Sequence, residues 1–214
     1  MGRFALGAAA SAALLAVTSI GAAETPPPVP GSMDTARVTA GSYAVDPAHT
    51  LVGWRVNHLG FNDYFGLFGD VTGTLELDPG KLTDAKLDVT IPVSSILVAS
   101  SDLKAHLLKP GKDGAAPDFF GPAPKPARFV STLVRPTGGN RALITGMLTL
   151  NGVTKPAAIM AEFTGAGDGP MNKKQTIGFK GYGRLNRSEF NIGFGVPLVS
   201  DQVNLDITAA FERQ

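Results

Sequence analysis

The stretch DVTGTLELD at residues 70–78 decides the fold, with DAKLDVTI at 84–91 and QVNLDIT at 202–208 repeating its pattern. Each sets apolar and polar side chains on opposite faces, the two-residue period of half-buried antiparallel strands. Working outward, strands are predicted at 43–46, 50–57, 67–78, 84–92, 127–135, 142–150, 156–165, 174–186 and 200–212, with Gly, Pro, Asn or Asp at most boundaries. Strands in this number without regular helical interleaving imply an all-β chain, a barrel or a sandwich, not a doubly wound sheet. The chain has no cysteine, so its stability has to come from the sheet and from what fills its interior.

Two segments break the strand pattern. Phe61, Tyr64, Phe65 and Phe68 recur at intervals of three, one and three, which puts four aromatics on one face of a short helix or helical turn. Residues 94–108 (SSILVASSDLKAHLL) form a second helix candidate, capped by Ser94 or Ser95 and burying Ile96, Leu103 and Leu107 at one end of the barrel. Residues 109–126 make a long irregular connection suited to a rim or lid. Glycines inside strands, such as Gly53, Gly73 and Gly146, mark bulges, bends or the close approach of something bulky.

The N-terminus has the layout of a secretory signal peptide over residues 1–23: Arg3, a short apolar run, and Gly21-Ala22-Ala23 before the cleavage point. Residues 24–42 are expected to be a Pro-rich linker, and 43–214 the folded domain. Export without thiols fits the periplasm. Cleavage removes Arg3 and leaves acidic and basic side chains in balance. That balance offers no electrostatic reason to expect nucleic acid or stable membrane insertion of the mature chain.

Few residues carry chemistry. The three histidines, His49, His58 and His106, can pair with Asp46, Asp63 or Asp102, but their spacing forms no compact metal motif. Neither a G-x-S-x-G elbow nor a nucleotide-binding glycine loop occurs, so no catalytic set, metal or cofactor is assigned. Arg184 and Arg187 can pair with Glu189 or meet an anionic head group. The phenylalanines supply lining for an apolar interior, but periodicity alone does not separate a filled barrel from a hollow one.

Several motifs resemble the YceI-like family, also called the polyisoprenoid-binding or lipid-binding YceI domain. They are YAVDPAHTLVGWRVNHLG from residue 43, VSSI at 93–96 followed by HL at 106–107, DFF at 118–120, GMLTLNGVTKP at 146–156 and NRSEFNIG at 186–193. The resemblance implies an extended, lipocalin-like antiparallel β-barrel of about eight strands with short helices near one end. It also implies an apolar cavity for an isoprenoid or other long-chain lipid. By position, His49, His58 and His106 match the family's histidines, Asp118-Phe119-Phe120 its acidic-aromatic segment, Thr154-Lys155-Pro156 its turn, and Arg187 the arginine of its late motif. Three departures stand out: Lys104 replaces an acidic residue, 109–116 lengthen one link, and Asn191 stands where glycine is common, a residue that tolerates left-handed backbone.

The expected function is therefore a periplasmic binding or carrier protein for a polyisoprenoid or isoprenoid quinone. The candidate ligand residues are Trp54, His49, His58, Phe61, Phe65, Phe68, His106, Phe119, Phe120, Phe129, Lys155, Phe179, Arg187 and Phe190. Arg187, Lys155 and the histidines are the candidates for a polar end group. Two rivals stand beside it: an enzyme acting on an amphiphile through its histidines, and a stress-related structural domain whose barrel is filled. An unpaired barrel edge is compatible with a homodimer.

Overall fold

The structure, a computed structural model, describes residues 29–214. The leader expected at 1–23 and the first residues of the expected linker lie outside the described residues. Strand β1 (Gly41–Val45) continues after a turn as β2 (Leu51–His58), and β3 (Asn62–Phe68) continues as β4 (Thr72–Leu77). β2 pairs with β3 and β1 with β4, so each couple is one bent stave. The remaining staves are β5 (Lys86–Ile91), β6 (Ala127–Gly138), β7 (Arg141–Leu150), β8 (Val153–Asp168), β9 (Gln175–Asn186) and β10 (Gln202–Arg213). Each pairs antiparallel with its sequence neighbour, and β10 returns to pair with both β1 and β2. An eight-staved, up-and-down barrel results. Closure pairs every stave with a neighbour on each side over at least part of its length, which removes most of the edge of an open sheet.

Two expected helices change character. Residues 62–68 form β3, not a helix, because β2 offers a full ladder from Val52–Phe68 to His58–Asn62. Gly66 makes room for that pairing: a side-chain carbon there would lie 2.1 Å from the Trp54 ring, which covers it. Tyr64 and Phe68 therefore share one face and Phe65 takes the other, as a strand requires. The predicted strand 67–78 consequently divides between β3 and β4. The helix expected over 94–108 shrinks to α1 (Ser101–Leu108), capped by Ser100, whose Oγ accepts from the Leu103 amide at 3.2 Å. Ser95 does not cap it. The Ser95 hydroxyl instead accepts from the Gly69 amide at 3.1 Å, and Leu67 and Leu97 exchange backbone hydrogen bonds. These contacts tie the segment before α1 to the stave bend.

The barrel has two unlike ends. At one, α1 and the long connection after it close the lumen with buried Val93, Ile96, Leu107, Phe190 and Ile192. The Phe120 amide donates to the Leu107 carbonyl at 3.1 Å, which folds the connection back onto α1. At the other end, the described part of the 24–42 stretch is fastened to the sheet. Ser32 and Ala166 exchange backbone hydrogen bonds of 3.1 and 2.8 Å. The Gln175 amide nitrogen donates to the Arg37 carbonyl at 2.7 Å, and the buried Tyr43 hydroxyl donates to the Thr39 carbonyl.

Candidate functional site

Side chains alternate in and out of the ring, and the size of the inward ones determines whether the lumen is full. On one wall a band of them is small, Ala142 on β7, Ala157 and Ala161 on β8, Gly181 on β9 and Ala209 on β10, set among the bulkier Ile144, Ile159 and Ile207. The register aligns Ala142, Ala161 and Gly181 in a single row across three staves. Across the lumen Leu75, Leu87 and Val89 project inward without reaching them. A cavity of about 460 Å³ remains, lined almost wholly by apolar groups. Native interiors ordinarily pack to crystal-like density, so a hollow of this size is a ligand-sized space and not a packing defect.

The cavity runs from Phe68, Val93 and Phe129 near the α1 end to a rim formed by Thr35, Pro79, Leu82 and Gly138–Asn140 at the other. Leu82 is 38% exposed there, and the rim meets solvent. Phe129 is buried and lies flat against β7: a side-chain carbon on Gly146 would sit 2.7 Å from its ring, so glycine lets the ring stand aside from the lumen. Phe163, Phe179 and Phe211 stack edge to face with centroids 5.8 and 6.0 Å apart and fill one side of the open end. Aromatic rings packed this way hold one another in fixed orientation. Thr50 is buried beside the cavity, and its hydroxyl is satisfied by the backbone of Ala210 at 3.2 Å.

The sequence pattern of the YceI-like domain matches residues 43–211 of this chain. The YceI protein of Escherichia coli O157:H7 is 35% identical over 178 residues, covering 82% of this chain and 88% of that protein. The chain belongs to the YceI-like family. Among solved structures, BcnA of Burkholderia cenocepacia matches at TM-score 0.61 and 26% identity, over 78% of this chain and 98% of BcnA. A polyisoprenoid binding domain from Saccharophagus degradans, implicated in plant cell wall breakdown, matches at TM-score 0.56, over 80% of this chain and 98% of that domain. With 12% identity, it shows likeness of fold.

This YceI-like barrel scatters the residues singled out in the sequence. Phe68, Phe129 and Phe179 line the cavity. Phe120 lies against Phe68 with centroids 6.2 Å apart. Trp54 stacks on Tyr64 and sits outside the cavity lining, its buried indole nitrogen without a hydrogen-bond partner in the described protein. Phe61 is 86% exposed at the β2–β3 turn, while Phe65 is exposed and carries the Arg55 guanidinium 5.9 Å from its ring centre. Lys155 is exposed near the start of β8, opposite Leu148 of β7, and is not part of the cavity lining.

The histidines do not converge. His49 is exposed and pairs with Asp46 at 2.6 Å, and His58 ends β2 in solvent. His106 on α1 meets Asp118 at 2.9 Å and packs between Phe119 and Phe194, with centroids 5.2 and 5.1 Å away. His106 and Lys109 together hold the Asp118 carboxyl below the usual carboxylate range. Among the described residues, no three His, Asp or Glu side chains gather in metal-ligating geometry.

Arg187 is the buried charge of the molecule's described part, at 5% exposure. Its Nε donates to the Ser200 carbonyl at 3.0 Å, Nη1 to Ile192 and Phe194 at 2.8 Å each, and Nη2 to Val199 at 2.9 Å. A guanidinium has only five N–H donors, so this one is nearly saturated by the 191–200 loop. Burial lowers its pKa, and Asp201 opposes that shift. Phe190 is buried beside it, and Asn191 follows in the left-handed region at φ 60°, ψ 29°. Missed in the sequence were the small inward residues Ala142, Ala161 and Gly181. Their signal was present as alanine and glycine at inward-facing positions, where a filled barrel needs bulk.

Proposed function

We propose that the chain is an exported carrier, acting in the periplasm, that holds the tail of a polyisoprenoid or isoprenoid quinone inside its barrel. The observation that carries this reading is the apolar cavity of about 460 Å³ along the lumen, bordered by the aligned row of Ala142, Ala161 and Gly181. Family membership and the fold shared with a polyisoprenoid binding domain support lipid as the ligand class. The leader-like sequence at 1–23 supports export. Tail burial supplies the driving force, at about 0.8 kcal/mol per methylene removed from water, before ordering costs. Binding, not turnover, is the role that an apolar lumen without converging acid–base groups supports.

The experiment is uptake of a fluorescent long-chain probe by wild type and by Ala161→Trp, which places an indole in the lumen. Wild type is expected to bind stoichiometrically and the variant to lose most of its affinity while remaining folded by circular dichroism. Equal binding by the two proteins would put the ligand somewhere else. A reporter fused after residue 23 and followed by cell fractionation tests the compartment.

A further inference from the structure

The barrel wall is incomplete at one place. β8 stays paired with β7 down to Val153–Leu150, and β9 stays paired with β10 up to Asn186–Gln202. Between β8 and β9, however, the ladder stops at Ile159–Gly183. Pro156, which would continue it toward Asn186, has no N–H to donate. After Asn186 the chain leaves the sheet as a 3₁₀ turn at Arg187–Phe190. The Asn151 side chain closes the far edge of the gap by donating to the Phe190 carbonyl at 3.1 Å. A framed window is left in the wall.

The window opens on a second hollow of about 300 Å³, bordered by Pro156, Arg184, Asn186, Glu189, Phe190 and Gln202. Ala157, Arg184 and Leu185 border both this hollow and the lipid-sized cavity. Ala157 and Leu185 are thus the thin partition between an apolar interior and a polar recess. Arg184 makes no hydrogen bond or ion pair with another described side chain, in contrast to Arg187, whose donors the loop takes up. Lys155, which precedes Pro156, is exposed but does not border this hollow. One cation, Arg184, therefore borders a recess that leads inward past a small residue, with the Glu189 carboxylate on the same border.

We infer that this window is the head-group site: an anionic head, phosphate or carboxylate, is held at Arg184 while its tail passes Ala157 and Leu185 into the lumen. The inference rests on the carrier reading and adds where the polar end sits and what charge it bears. Guanidinium suits such a head because its fork matches two oxygens at once. Asn186 and Gln202 add amide groups to the border; Asn186 donates to the Glu189 carboxylate at 3.4 Å and Gln202 to the Asn204 side chain at 3.2 Å, which leaves Arg184 as the group that meets the head. The solvent rim at Thr35, Leu82 and Gly138 then faces the tip of the tail, not its head.

Two probes with the same prenyl tail test this, one a neutral prenol and one a monophosphate with a photoreactive diazirine beside the phosphate. Photolysis on wild-type protein is expected to label residues 154–157 and 184–190. Arg184→Glu is expected to weaken the monophosphate about tenfold or more while leaving the prenol within about twofold. Labelling at 79–85 and 136–141, or equal effects of Arg184→Glu on both probes, overturns the window site and leaves the carrier reading standing. Failure of wild type to take up either probe overturns both.

Discussion

Replacing Arg187 with alanine tests whether this side chain is a structural fastening or a ligand contact. Four carbonyls of the 192–200 loop accept from one guanidinium at 2.8 to 3.0 Å. Hydrogen bonds to a charged group contribute about 1.5–3 kcal/mol each, so four amount to roughly 6–12 kcal/mol gross. Against this stands the several kcal/mol cost of keeping a guanidinium out of water, which the alanine variant no longer bears. Partial loosening of the loop also lets water reach some of the freed carbonyls. The net destabilisation of Arg187→Ala is about 3–5 kcal/mol, the range for breaking a buried charged network. For a domain of this size that corresponds to a fall in Tm of about 6–20 °C. Arg187→Lys, with three donors on a point charge, is expected to fall between. Urea unfolding of the three proteins gives the energies, and amide exchange reports the loop. At temperatures where Arg187→Ala remains folded, its affinity for a neutral prenol should stay close to wild type. A loss below about 1 kcal/mol, or unchanged stability with abolished lipid binding, would refute the fastening.

Three further outcomes follow from the structure. Gln175→Ala removes the side chain that holds Arg37 and Thr39, so amide exchange at residues 31–40 should quicken and lipid release should accelerate without a change in the barrel's own protection. The Asp118 carboxyl is held below its ordinary pKa of 3.8 by His106 first and Lys109 second. Its depressed folded pKa means that any stability it adds is present above the ordinary carboxylate range and is lost as pH falls through the folded value. In His106→Gln the Asp118 pKa, read by NMR titration, should move up toward ordinary, and no movement would show that His106 is not the cause. Gly146→Leu should destabilise strongly, because a side chain there meets both the Val130 carbonyl and the Phe129 ring, and chemical denaturation checks it.

Much of the barrel was legible in the alternating strands, since a period of two fixes which residues face inward once one face is apolar. What failed was local. At 61–68 the aromatic spacing satisfies a helix as well as a strand, and only the partner strand β2, with Trp54 lying over Gly66, decides between them. At 94–108 the serines offered several caps, and tertiary bonds from Ser95 to Gly69 selected the later one. The site was harder to see because hollowness is a matter of side-chain volume summed across staves. Ala142, Ala161 and Gly181 lie nearly forty residues apart in sequence at the extremes, and only the register places them in one row. Conspicuous residues drew attention instead: Arg187 proved committed to its own loop, and His49 and His58 lie in solvent. The splayed wall at Pro156 was similarly invisible, since a proline in a strand run announces an interrupted ladder without saying on which side.

The proposed role of the lumen, bordered by its row of small residues, is to hold an apolar tail. Native mass spectrometry of the protein, purified without detergent and then gently stripped, is the direct test. A reproducible mass increment of one long-chain lipid per barrel is expected, lost on stripping, restored by a polyprenol or quinone, and absent from Ala161→Trp. A protein that emerges without lipid and takes up neither polyprenol, quinone nor fatty acid would contradict it.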